Sequence, residues 1–294
     1  MTTESVSPRF AGIDAWPPAD ILDALVEGQL AAVAAVRAAR PALEAAALAV
    51  EARMRRGGRL VYAGAGTSGR LAVQDGAELT PTFGWPPERL VFLLAGGERA
   101  LLHPVERAED QAEDGAGEAR AAGLSPDDAV VAVAASGSTP YTLGILREAR
   151  RVGALGIGIA NNPGTPLLSE ADHGILLDTG AESIAGSTRM KAGTAQKVAL
   201  NLLSSLVMIR LGRVHDGLMV DVQAVNAKLE RRSIAMLTHL TGCTPDAAGD
   251  ALERAGGHVK LAVLLVEGAS PERARDALEQ AGGRLRDALA MLKG

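Results

Sequence analysis

The sequence predicts an α/β protein: a doubly wound, five-stranded parallel sheet flanked by helices, followed by a small helical domain. Three observations carry that expectation. Five apolar runs, at residues 60–63, 90–94, 129–135, 155–160 and 174–177, are too short for helices and suit buried strands. Helical stretches alternate with them, which is the pattern of a parallel sheet with crossover helices. Past Thr241 the chain changes to short helices broken by Gly-Gly pairs at 256–257 and 282–283, which predicts a separate unit of about 55 residues. The expected division is 1–56 as N-terminal helices packed on the core, 57–235 as the sheet domain, and 236–294 as the helical domain.

The totals bound what such a protein does. With 294 residues, 47% apolar and 22% charged, the chain has enough material for a large domain and a small one. Aromatic residues make up 2%, too few to stack nucleic-acid bases, and the net charge of −5 disfavours nucleic acid and anionic membranes as partners. Cys243 is the one cysteine, which excludes an intrachain disulfide and a cysteine metal cluster. The five histidines are scattered without metal-ligand spacing, so no metal is expected. The first residues, MTTESVSPRF, lack a basic start and an apolar core, and no apolar run reaches about 18 residues. A cytoplasmic protein with no membrane span is expected.

Taken in order, residues 1–19 are rich in Pro, Ser and Thr and read as a surface wrap. From Asp20 to Arg56 apolar residues recur at helical spacing, with Pro41 dividing two alanine-rich helices. The first strand then runs into Gly64-Ala65-Gly66-Thr67-Ser68-Gly69. A helix follows, carrying Leu71, Asp75 and Glu78, with Pro81 expected to stop it. Strand, glycine turn and helix start together form an anion site, because free N–H groups and the helix dipole converge there. Gly64, Gly66 and Gly69 also satisfy the dinucleotide fingerprint GxGxxG. Three readings stand at this point: a nicotinamide-type cofactor, a phosphate monoester held by Gly66, Thr67 and Ser68, or a tight turn without ligand.

The stretch after the second strand carries Glu98, Glu106, Glu109, Asp110, Glu113 and Asp114 and reads as helical, with Pro104 in its first turn and Glu106 and Glu109 on one side. The third strand leads into Ser136-Gly137-Ser138-Thr139-Pro140, a second anion cradle at a strand end. Asn161-Asn162-Pro163-Gly164 reads as a turn. In doubly wound sheets ligands bind where strand order reverses. If the order is 2-1-3-4-5, the loops GAGTSGR and SGSTP converge, and the phosphate-monoester reading moves ahead. The stretch GAESIAGSTRMKAG offers Glu182, Ser187, Arg189 and Lys191 at the start of a long apolar helix, about 190–211. The two cations either attract an anion there or lie on the surface. Residues 216–240 read as a further helix.

With these motifs assembled, the chain resembles the N-acetylmuramic acid 6-phosphate etherases, sugar-isomerase-fold enzymes of peptidoglycan recycling. The matching segments are RLVYAGAGTSGRLAVQDGAE, TPTFG, LLAGGERAL, HPVERAED, AASGSTPY, GAESIAGSTRMKAGTAQK, GLMVDVQAVNAKL, TGCTPDAA and GGHVKLAVL. The resemblance implies a cofactor-free lyase. It removes D-lactate from C3 of N-acetylmuramic acid 6-phosphate by elimination and adds water, leaving N-acetylglucosamine 6-phosphate. It also implies a homodimer and two catalytic glutamates, which fall on Glu78 and Glu109. The glucokinase regulatory proteins are similar too and bind sugar phosphates without turnover, which supplies a non-catalytic alternative. This sequence departs from the family's usual pattern at Gly28, Gln29, Ala77, Leu79 and Thr80. Glu78 is expected to be the proton donor, since a helix C-terminus and apolar Leu79 and Phe83 favour a protonated carboxyl. Glu109 is expected to be the base for the C2 proton, kept ionised by Arg107 or His103.

Overall fold

The computed structural model describes residues 1–221 and 227–293. Its contacts divide the chain into two compact units: residues 1–77 with 87–204, and residues 78–86 with 205–294.

In the first unit, three short 3-10 turns open the chain, and Thr3 among them is wholly buried. Helices α1 (Pro18–Ala38) and α2 (Arg40–Arg55) follow. Pro41 sits in the first turn of α2, where its missing N–H costs nothing. The buried side of α1 is its small-residue side, Ala24, Gly28, Ala32 and Val36, while Leu22, Val26, Leu30 and Val33 face outward. Strand β1 (Leu60–Gly64) leads into α3 (Gly66–Ala77). The helix ends at Ala77, before Pro81, which lies inside a separate short helix, α4 (Leu79–Phe83), of the second unit. A proline in a first helical turn does not break it.

Strand β2 (Leu90–Leu94) comes next, then α5 (Ala112–Ala121). The helix expected across Glu98–Asp114 is therefore mostly absent: 102–111 is turn and irregular structure, and Arg107 adopts φ 61°. That left-handed residue breaks helical continuity, so Glu106 and Glu109 do not share a helix face. Strand β3 (Ala129–Val133), α6 (Pro140–Arg151), β4 (Leu155–Ala160), α7 (Pro166–Glu170), β5 (His173–Leu176) and α8 (Lys191–Arg210) complete the alternation. The sheet order is β2-β1-β3-β4-β5, all parallel, as the conditional order required.

The central strands β1, β3 and β4 are buried along their whole length because helices cover both faces. Val61, Ala63, Val130 and Ala132 pack with Tyr141, Leu143, Ile145 and Leu146 of α6 on one face. On the other, α2 lies over β3, β4 and β5, and Asp75 of α3 accepts a hydrogen bond from the Tyr62 hydroxyl at 2.7 Å. Burial pushes the Asp75 carboxyl up, against the bonds from Tyr62 and Ser204. At the opposite edge of the strands, Asp128 accepts from the Arg59 and Ser125 N–H groups and from the Arg59 guanidinium at 2.7–2.9 Å. Burial raises the Asp128 carboxyl, and those bonds outweigh it and hold it below its ordinary value. Helix α8 is long and apolar enough in length and composition to cross a membrane. Ala192, Ala195, Ala199 and Leu200 are nevertheless wholly buried, as in a core helix.

In the second unit, β6 (Val214–His215) and β7 (Leu218–Met219) form an antiparallel pair. The helix expected over 216–240 forms from Ala227 onward, while its first residues belong to this hairpin, because Asp216-Gly217, both at positive φ, is a tight-turn pair. Residues 222–226, within the GLMVDVQAVNAKL segment, lie outside the described residues. Five helices follow: α9 (Ala227–Thr241), α10 (Pro245–Arg254), α11 (Val259–Val266), α12 (Pro271–Gln280) and α13 (Leu285–Lys293). Thr244 and Ser270 cap α10 and α12 by accepting from Ala247 and Arg273 N–H. Leu237, Ala248, Leu252, Val259, Leu264 and Ala274 form the core of this unit.

Candidate active site

The site is built at the carboxyl ends of β1, β3 and β4 in the first unit. Gly64 pairs with Val133, so the loops that leave β1 and β3 start side by side. A Cβ on Gly64 would stand 2.9 Å from Gly69 Cα, and one on Gly69 would stand 2.4 Å from Leu94 Cδ1. These two glycines therefore let the first turn of α3 sit directly on its strand. Gly66 is different: it takes φ 54°, it is exposed, and nothing lies within 4 Å of where a Cβ would point. The N–H groups of Gly66, Thr67 and Ser68 head the helix, and Gly69 is the first residue whose N–H reaches back, to the Ala65 carbonyl at 3.0 Å.

The β3 loop is held from within. Ser136 and Thr139 hydroxyls lie 3.2 Å apart, and the Ser138 N–H donates to Ser136 Oγ at 3.2 Å. Gly137 has φ 68°, and a Cβ there would meet Thr165 Oγ1 at 2.1 Å. Ser136, Ser138 and Thr139 are half-buried. Glu109 is anchored to the same corner: its carbonyl accepts the Tyr141 N–H in the first turn of α6 at 3.1 Å. Its side chain is exposed, and neither Arg107 nor His103 forms an ion pair with it, contrary to the expectation for those cations.

The start of α8 borders the β1 loop. A Cβ on Gly193 would lie 3.5 Å from Thr67 Cγ2 and 3.7 Å from Leu71. Glu182 and Lys191 stabilise this helix start themselves. The buried Glu182 carboxylate accepts the Lys191 and Ala192 N–H groups at 3.0 and 2.9 Å. Lys191, also buried, donates through Nζ to the Thr179 and Ala181 carbonyls and packs beside Gly28. The first N–H groups of α8 are thus occupied by a carboxylate of the protein. Ser187 is half-buried in the preceding loop, where its carbonyl accepts the Met190 N–H at 3.1 Å. Gln29, the other departure on α1, accepts from the Thr194 hydroxyl.

Sequence reasoning missed the polar frame under these loops. Asn161 donates to the Leu177 carbonyl at 3.0 Å and accepts from Gln196 at 2.8 Å. Asn162 donates to the Ala135 carbonyl and the Thr3 hydroxyl, while Thr3 N–H donates back to Asn162 Oδ1. The available signal was two adjacent asparagines at the end of a buried strand, which read only as a turn. Glu78 belongs to the second unit. It follows the last residue of α3 and precedes the first of α4, without capping α4 by its side chain. Leu79 is buried but Glu78 is exposed, so the desolvation expected from its apolar neighbours is absent in the single chain. Among the described residues no three His, Cys, Asp or Glu come together to hold a metal ion.

A parallel sheet in this order, with paired hydroxyl loops at its reversal point, is a doubly wound α/β fold, and family models narrow it to the SIS domain. "Glucokinase regulatory protein N-terminal SIS domain" matches residues 43–150 and "SIS domain" matches 111–206. A solved chain from Bacteroides fragilis, named as a phosphosugar isomerase, shares the fold with a TM-score of 0.50 at 23% identity, over 67% of this chain and 98% of that one. Curated relatives are far more similar. The N-acetylmuramic acid 6-phosphate etherase of Deinococcus radiodurans is 56% identical over 265 residues, 90% of this chain and 87% of that protein. That of Rubrobacter xylanophilus is 46% identical over 264 residues, 90% and 88% respectively. The chain belongs to the N-acetylmuramic acid 6-phosphate etherase family.

Proposed function

We propose that this protein cleaves the D-lactyl ether of N-acetylmuramic acid 6-phosphate. The observation that carries the reading is the pair of loops, 64–69 and 136–139, side by side at the strand-order reversal of a chain 56% identical to an etherase. Unclaimed N–H groups at the head of α3 and the half-buried hydroxyls of Ser136, Ser138 and Thr139 suit a phosphate dianion.

The chemistry asks for little beyond two carboxyls. In the open-chain aldehyde the C2 proton is acidic. Glu109 takes it, and the electron pair forms a C2–C3 double bond as the C3–O bond breaks. Glu78 gives its proton to the departing lactyl oxygen. Water then adds at C3, C2 regains a proton, and N-acetylglucosamine 6-phosphate results. The net change is hydrolytic, through a carbon–oxygen lyase step. Glu109 is held by its backbone beside the phosphate loop, which suits a base acting on a sugar whose far end is anchored there. Glu78 stands exposed at the junction of α3 and α4, where its carboxyl is free to meet a ligand.

The same reading makes the protein a homodimer of the cytoplasm. Leu22, Val26, Leu30 and Val33 form one exposed stripe on α1 that a second copy would cover. The lone cysteine fits a reducing compartment. The test of function is incubation with N-acetylmuramic acid 6-phosphate. Free D-lactate and N-acetylglucosamine 6-phosphate are expected in equal amounts, and a bound but unchanged sugar phosphate would refute the enzyme reading in favour of a sensor.

A further inference from the structure

The second unit contains a cleft of about 500 Å³ that the proposed reaction does not use. Three cationic side chains line it, Arg213, Lys260 and Arg275, against one carboxylate, Asp221. That carboxylate is already shared. Its Oδ2 accepts from Lys260 Nζ at 2.7 Å and lies 3.1 Å from Arg213 Nε. Lys260 gives a second N–H to the Gly283 carbonyl at 2.8 Å, and Arg213 Nη1 serves the Phe83 and Gly84 carbonyls.

An ammonium has three donors and a guanidinium five. One Lys260 proton and the Arg213 Nη2 group thus have no partner among the described residues, and Arg275 makes no ion pair among them. The Lys260 side chain is 10% exposed. Burial pushes its ammonium below the ordinary lysine value, with Asp221 opposing. Lys260 shares its one carboxylate with Arg213 and keeps a donor to spare, so the cleft, with three cationic side chains against one carboxylate, has room for a further anion. Val259, Leu261 and Leu278 supply an apolar wall beside these charges.

We propose that this cleft is a second binding site, for a small oxyanion, either a phosphate ester or a carboxylate, separate from the SIS-domain loops. Trp85 reports on it, since it is 1% exposed and lies under the Arg213 guanidinium at 5.2 Å. The test is fluorescence titration of the full chain carrying Trp16→Phe, which leaves Trp85 as its single tryptophan. Inorganic phosphate and acetate are the two probes. A saturable change in Trp85 emission is expected with at least one, phosphate alone pointing to an ester and acetate alone to a carboxylate. Arg275→Gln, an exposed substitution, should raise Kd about fivefold, less than a buried charged bond would because of solvent screening. Ser138→Ala, which alters the SIS-domain loop, should leave that Kd unchanged. No saturable response to either probe, an Arg275→Gln titration identical to its parent, or loss of the response in Ser138→Ala would each overturn the proposal.

Discussion

Ser138 illustrates how a single residue divides between scaffold and site. Its N–H is spent on Ser136 Oγ, while the residue stays half-buried and brings a hydroxyl to the loop. A hydrogen bond to a charged group contributes about 1.5–3 kcal/mol, and partial exposure puts this one at the low end. Ser138→Ala should therefore raise KM for the phosphorylated sugar about tenfold with little change in kcat. An unchanged KM would remove this loop from phosphate binding. At this scale the sequence was informative about residue type and silent about direction. Three hydroxyls in four residues were visible as a cradle. Nothing in the string of letters showed that Glu182 caps the start of α8, or that the Lys191 ammonium is taken up by the Thr179 and Ala181 carbonyls of the preceding loop.

Among the elements, the strands were the most legible. Their apolar runs are bounded by glycine and polar turns, and each of the five strands of the parallel sheet falls within two residues of its expected bounds. The helices failed where a local turn outweighed periodicity. Arg107 at positive φ broke the stretch around Glu109, and Asp216-Gly217 turned the first residues of an expected helix into a hairpin. Both are backbone events that spacing of apolar residues does not report. The α8 start makes the element-scale prediction. Glu182 satisfies two buried N–H groups there, so Glu182→Ala should destabilise the first unit by about 2–3 kcal/mol in denaturant unfolding. Wild-type stability in that variant would mean that the cap is dispensable.

For the whole molecule, the two-unit division and the sheet order place the paired loops, and the apolar stripe on α1 raises the question of assembly. Sedimentation at micromolar concentration should give a dimer, and Val26→Glu with Leu30→Glu should give a folded monomer. A monomeric wild-type protein would contradict the assembly reading. The central claim is that Glu109 removes the C2 proton and Glu78 protonates the lactyl oxygen. Its most direct test is C2 proton exchange in deuterated water, followed by NMR alongside lactate release, in Glu78→Gln and Glu109→Gln. Loss of either role should slow its own step by about 10²–10⁴-fold. Glu78→Gln should keep exchanging the C2 proton while releasing almost no lactate, and Glu109→Gln should lose both. Exchange at the wild-type rate in Glu109→Gln would contradict the assignment.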